Sequence, residues 1–349
     1  MFKYVDELPG FKRPQEPVKP YPYNEQEVEY ENKGAGVKLA GTLTFPDSGG
    51  PFPAVILLTG SGQQNRNEEV FGHKPFLVLA DYLTRQGIAV LRADDRGVGG
   101  STGDFSQSTT GDFADDALAG VEYLKSRKEI SPKHIGLVGH SEGGTMAPIA
   151  AAKSSAVAFI VMWAGPGQGF DDIIIFQHIE AGMSEEDIAL QRSWYKSIYG
   201  VSKQDLDYDA AAKEIRRLFA ELSEEEKKRL DWTEERLESE IPDLLKPWWR
   251  YAMAYDPRAT LMRVKCPVLA IIGEKDTQVP SKANLPLIEE ALEASGNMNF
   301  QVKELPGLNH LFQTAETGDV SEYRRIEETM SPSALVLISG WIKEQTRID

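Results

Sequence analysis

Residues Gly139-His140-Ser141-Glu142-Gly143 set a serine between two glycines at the G-x-S-x-G spacing, and Gly99-Gly100-Ser101-Thr102-Gly103 shows the same spacing earlier in the chain. A serine hydroxyl attacks a carbonyl only when an imidazole takes its proton and an acid holds that imidazole in the right tautomer. Asp276, at the end of "VLAIIGEKD", and His310, in "LPGLNHLF", follow Ser141 in the order serine, acid, histidine that accompanies a strand-to-helix nucleophile elbow. The pattern predicts acyl transfer with Ser141 as nucleophile, His310 as general base and Asp276 as the orienting acid. Glu274 is the rival for the acid's place.

An elbow serine leaves a buried strand, turns sharply and enters a helix whose first amides face the developing oxyanion. "IGLVG" before Ser141 reads as that strand and "GTMAPIAAAK" after it as that helix. Ser101 instead follows "RADDRGVGG" and precedes the turn-rich "TGDFSQSTTGD", so it reads as part of a glycine-rich loop. His73 begins a helix, His134 precedes a strand, His140 adjoins the serine and His178 falls in a helical region; each reads as a surface or packed imidazole.

The oxyanion requires two backbone N–H donors, one from the residue after the nucleophile and one from the loop after the third strand. Glu142 supplies the first, and its charge either complements the helix dipole or bears on substrate choice. The second is expected from "TGSGQQNRNE" (59–68), most simply Ser61, with Gly62 and Gln63 as alternatives. That loop has no Gly-Lys-Ser/Thr ending and no third glycine at dinucleotide spacing, so no nucleotide cofactor is expected. Asp94 and Asp95 invite a metal assignment; Asp95 and Arg96 are read instead as a buried pair behind the site. The chemistry requires neither metal nor organic cofactor.

These groups need a scaffold. "VEYEN" (28–32) and "VKLAGTLTF" (37–45) read as a hairpin. "AVILLTG" (54–60), "IAVLRADD" (88–95), "HIGLVGH" (134–140) and "VAFIVMWAG" (157–165) are continuous apolar runs with helical segments between them, the pattern of strands buried on both faces of a mostly parallel sheet. The fold class is therefore α/β, a mostly parallel central sheet flanked by helices. From about residue 167 to 256 the strand rhythm stops and helical segments follow, two opening on capping-box patterns at Ser184/Asp187 and Ser223/Glu226. Strands resume at "CPVLAIIGEKD" (266–276) and "FQVKELPG" (300–307). The expected division is an extended arm at 1–25, a core at 26–166 and 257–349, and a helical cap, 167–256, inserted between core strands 6 and 7. Trp248, Trp249 and Tyr251 would line a pocket there or pack the cap.

The 54 acidic residues outnumber the 38 basic ones, for a net charge of -16, which excludes a nucleic-acid backbone as partner. Cys266 is the single cysteine of the 349 residues, so no intramolecular disulfide forms; it is expected half-buried beside a strand. No apolar run approaches the roughly 18 residues of a membrane span. The N-terminal stretch lacks a secretory pattern, so the chain as written is expected in the cytoplasm, or in the periplasm or medium if a leader was trimmed.

"LLTGSGQQNRNE", "GHKPFLVLADYLTRQGIAVLRADDRGVGGSTG", "GHSEGG", "GEKDTQVP" and "LPGLNHLFQ" together resemble the serine-dependent α/β-hydrolase superfamily, and within it bacterial carboxylesterases of the EstD type. The resemblance implies a helical cap, hydrolysis of short acyl esters, and a triad at Ser141, Asp276 and His310. It also leads one to expect an aspartate near Asn65. The alternatives are a peptidase or thioesterase of the same fold, or a ligand-binding protein without catalysis; oligomeric state is open.

Overall fold

The computed structural model describes residues 11–179 and 183–347; the first ten residues of the expected arm lie outside them. The strands are β1 (Tyr23–Asn32), β2 (Val37–Pro46), β3 (Phe52–Leu58), β4 (Ala89–Ala93), β5 (Ile130–His140), β6 (Ile160–Trp163), β7 (Val268–Gly273) and β8 (Phe300–Leu305). They form one sheet in the order β1-β2-β4-β3-β5-β6-β7-β8. β2 runs antiparallel to β1 and β4, and the remaining pairings are parallel.

Period-two alternation decides which side chains share a face. Val55 and Leu57 of β3, Val161 and Trp163 of β6, and Leu269 and Ile271 of β7 point to one face. There they bury against Phe76, Leu79 and Leu83 of α1 (Pro75–Arg85) and Ile338, Trp341 and Ile342 near the C-terminus. Ile56 of β3 points to the other face, against Gly120 of α2 (Thr110–Lys125), where a Cβ would meet its Cδ1 at 2.9 Å. α3 (Gly143–Lys153) follows β5.

The chain divides into two compact units, one of residues 1–105, 111–167 and 258–349, the other of 106–110 and 168–257. The second unit holds α4 (Phe170–Gln177), α5 (Glu185–Ser202), α6 (Tyr208–Ala220), α7 (Glu224–Leu230), α8 (Glu234–Leu244) and α9 (Pro247–Ala254). It has its own core around Trp194, Tyr199, Ile215, Phe219, Trp232 and Ile241. Ser223 and Glu226 close a reciprocal capping box, and Ser184 accepts from the Asp187 N–H. Trp248 and Trp249 both pack edge-on against Phe170 inside this unit, and Tyr251 stacks on Tyr255.

α10 (Pro257–Leu261) begins on the last residue of the second unit and continues in the first towards β7, where α11 (Ser281–Ala294), α12 (Val320–Tyr323) and α13 (Pro332–Gln345) follow. The described part of the arm is not uniformly extended. A turn closes from Glu16 N–H to the Arg13 carbonyl, and Arg13 donates to the carbonyls of Gly72, Arg324 and Ile326. Cys266 is half-buried and burial pushes its thiol up to about 12, leaving it protonated at neutral pH. Among the described residues no helix is long and apolar enough to cross a membrane.

Candidate active site

After β3 the chain builds β4 on one side, then crosses back to place β5 on the other. The loops leaving β3 and β5 therefore diverge at a switch point, where a parallel sheet opens a crevice at its carboxyl edge. The β3 loop begins at Thr59, and Ser141 follows β5; Asp276 follows β7 and His310 follows β8 at the same edge.

Ser141 sits between β5 and α3 with φ +52°, in the left-handed region, and its N–H donates to the Trp163 carbonyl at 2.8 Å. The turn is possible because backbone packs on backbone around it. A Cβ on Gly139 would lie 1.9 Å from the Gly143 oxygen, and one on Gly143 would lie 2.1 Å from the Leu58 oxygen. Both positions admit only glycine. The serine is half-buried.

His310 and Asp276 are buried, and His310 Nδ1 lies 2.7 Å from Asp276 Oδ2. The other carboxylate oxygen, Oδ1, accepts the N–H groups of Gln278 and Val279 at 2.9 and 2.8 Å. With Nδ1 held by the acid, Nε2 is the ring nitrogen left for proton transfer. The rival acid Glu274 is exposed and accepts from Gly307 N–H.

The β3 loop lies against the nucleophile: a Cβ built on Gly60 would stand 3.4 Å from that of Ser141. Gly60 N–H is taken by Glu68 Oε1 at 2.6 Å and Gln64 N–H by Asp95 Oδ2 at 2.9 Å. Ser61, Gly62 and Gln63 lie between these two fastened amides; Ser61 is exposed and Gly62 has φ +93°. Glu142 is the N-cap residue of α3.

The expected Asp95–Arg96 pair does not form. Asp95 faces the β3 loop, accepting from Thr59 Oγ1 at 2.7 Å as well as from Gln64. Arg96 turns to α2, where Nε and Nη2 bind Asp116 at 2.7 and 2.8 Å. Both residues lie past the end of β4, where a turn closes from Val98 N–H to the Asp95 carbonyl, and each found a partner from a different element. Asp94 is clasped by Arg66 Nε and Nη2. Ser101 is buried, donating to the Asp94 carbonyl and accepting from Ala40 N–H. His73 is buried between Thr329 and the Tyr323 carbonyl, His134 lies in β5 against Ser131, and His178 bonds the Ile174 carbonyl.

Sequence reasoning missed Glu68. It sits at the end of the β3 loop, 2% exposed and with φ +52°, three residues beyond Asn65, where an aspartate was expected. Asn65 instead shapes the loop, its side-chain oxygen accepting from Asn67 N–H and its carbonyl from Glu68 N–H. An acid inside a polar run carries no periodicity that separates it from a solvated one.

Burial raises the Asp95 carboxyl to about 8, helped by the charges of Glu142 and Glu68 and opposed by its bonds to Thr59 and Gln64. Its unfolded value is about 3.9. Between these values the folded chain holds a proton the unfolded chain has lost, so stability falls as pH rises from 4 towards 8. Asp95→Asn removes that dependence. The unfolding free energy of the parent is expected to fall relative to that of Asp95→Asn across this window, with a slope of up to about 1.4 kcal/mol per pH unit; parallel curves for the two proteins would contradict the assignment.

The profile of the family described as X-Pro dipeptidyl-peptidase (S15 family) matches residues 35–299. Esterase EstD of Thermotoga maritima is 27% identical over 288 residues, 82% of this chain and 61% of that protein; the chain thus spans less than two thirds of that relative's length. Among solved structures, the Pyrococcus furiosus esterase Pf2001 superposes with a TM-score of 0.53 at 18% identity, covering 92% of this chain and 91% of that one. The α/β hydrolase GrgF of Penicillium sp. sh18 gives 0.55 at 18% identity, covering 92% and 99%. These structures share the α/β-hydrolase fold with the chain.

Proposed function

The chain belongs to the X-Pro dipeptidyl-peptidase (S15) family, and we propose that this member is a serine carboxylesterase that cleaves short-chain acyl esters through an acyl-enzyme on Ser141. The observation that carries the reading is the 2.7 Å bond between His310 Nδ1 and Asp276 Oδ2 at the sheet edge that also bears Ser141 on its left-handed turn. His310 Nε2 takes the Ser141 proton as Oγ bonds the ester carbonyl carbon. The N–H groups of Ser61 and Glu142 hold the resulting oxyanion. The C–O bond to the alcohol breaks, and the alcohol leaves with the proton from His310. Water, deprotonated by the same nitrogen, then frees the acid and restores the serine. General base and oxyanion donor contribute about 10²–10⁴-fold and about 10²–10³-fold respectively. The reading places every reacting group in the segments 26–166 and 257–349 and none in the insert 167–256.

The family's description favours a second reading, removal of an X-Pro dipeptide, in which the same serine attacks an amide and His310 protonates the departing amine. A panel of p-nitrophenyl esters from acetate to laurate beside Gly-Pro-p-nitroanilide separates the two. The esterase reading predicts fastest turnover on the shortest esters and none on the anilide. Turnover of the anilide alone would overturn it in favour of the peptidase.

A further inference from the structure

His140 precedes the nucleophile, is fully enclosed, and has a different acceptor at each ring nitrogen. Nδ1 lies 2.8 Å from Glu68 Oε1, and Nε2 lies 3.1 Å from the backbone carbonyl of His310. Glu68 Oε1 also accepts Gly60 N–H at 2.6 Å. The imidazole stands 4.8 Å from the His310 ring and 4.5 Å from the Trp163 ring, centroid to centroid. One chain of three hydrogen bonds thus runs from the β3 loop, past the residue beside Ser141, to the backbone of the general base.

A carbonyl oxygen only accepts, so Nε2 carries a hydrogen, and a second proton must lie between Nδ1 and Oε1. The pair is neutral as a whole, whichever atom holds that proton. Burial works against the charged imidazole most strongly of any single cause, yet the Glu68 carboxylate, the His310 carbonyl and the Asp276 charge together outweigh it and hold His140 above the usual histidine range. Glu68 is a costly residue here: its Oε2 is buried with no partner among the described residues, and its backbone is left-handed. A residue that only filled this space would need neither charge nor strain.

We propose that Glu68 and His140 are positioning residues that lock the oxyanion loop and the His310 loop into register with Ser141. The inference rests on the acyl-transfer reading of Ser141 and adds two members to its machinery. Neither touches the substrate; each acts through the backbone it holds, Gly60 on one side and His310 on the other.

The test compares the parent with Glu68→Gln and with the double variant Glu68→Leu/His140→Leu. A glutamine oxygen still accepts Gly60 N–H, but it gives the doubly protonated imidazole no counter-charge. The double variant removes both charged groups, so neither charge is left buried alone, while Gly60 N–H and the His310 carbonyl both lose their side-chain partners. Each protein is followed by kcat and KM on a p-nitrophenyl ester, by the rate at which a fluorophosphonate labels Ser141, and by melting temperature.

Loss of register of about 1 Å costs about 10²-fold in rate, so Glu68→Gln should lose about that factor in kcat and in labelling rate with KM little changed. The double variant, freed of the unbalanced charge, should not regain rate even where it regains melting temperature. A Glu68→Gln enzyme as fast as the parent, or a double variant that regains rate along with stability, overturns the proposal. Should the single variant not fold, the double variant decides alone. Labelling reads serine activation whatever acyl bond is the substrate: a parent that labels but cleaves no ester overturns the esterase reading and leaves this comparison standing, while a parent that does not label overturns both.

Discussion

Ser141→Ala is expected to lose about 10⁶-fold in kcat on p-nitrophenyl esters, the scale on which removal of a triad nucleophile abolishes turnover. The loss should not come from unfolding. Alanine carries the same Cβ into the φ +52° turn as serine does, and the N–H bond to Trp163 is a backbone bond that the substitution keeps. Melting temperature should therefore stay close to the parent's while turnover falls to background. Retained activity would move the nucleophile elsewhere, and a collapse in melting temperature would show that the hydroxyl itself holds the elbow.

Asp276→Asn should cost about 10⁴-fold in kcat, by a route the hydrogen bonds define. Oδ1 accepts two backbone N–H groups, from Gln278 and Val279. In the variant that position must remain the amide oxygen, because an NH₂ group there would face two donors. The NH₂ is then forced towards His310 Nδ1, which can only accept from it, so the ring's hydrogen moves to Nε2. That nitrogen can no longer take the serine proton. The expected result is a folded enzyme with little turnover and slowed fluorophosphonate labelling; full activity in a folded variant would remove Asp276 from the mechanism and reopen the assignment to Glu274.

Much of the candidate site is legible because its groups sit where strand order puts them. A continuous apolar run followed by G-x-S-x-G and small residues specifies strand, tight turn and close-packed helix, and the contacts of Gly139 and Gly143 show the steric reason. Asp276 and His310 are proposed from the strands they follow. The partners of Asp95 and Arg96 were not legible, since a turn after a strand gives no hint of which distant element receives each side chain. Asp116, which Arg96 binds, lies on α2 among other acids. Glu68 was hidden for a related reason: its burial depends on the fold of a loop, and its partner His140 looked like a packed ring in the nucleophile motif. The run of helices in 168–257 shows in the sequence as a loss of strand rhythm, but the inclusion of 106–110 in the second unit leaves no mark in composition.

The central claim is that Ser141 is an activated nucleophile. Treating the folded protein with a fluorophosphonate and mapping its peptides by mass spectrometry tests this before any substrate is known. The account predicts one adduct per chain, on the peptide bearing Ser141, lost in Ser141→Ala and slowed in Asp276→Asn. An unlabelled Ser141 in the folded protein, or an adduct on Ser101 in its place, would contradict it.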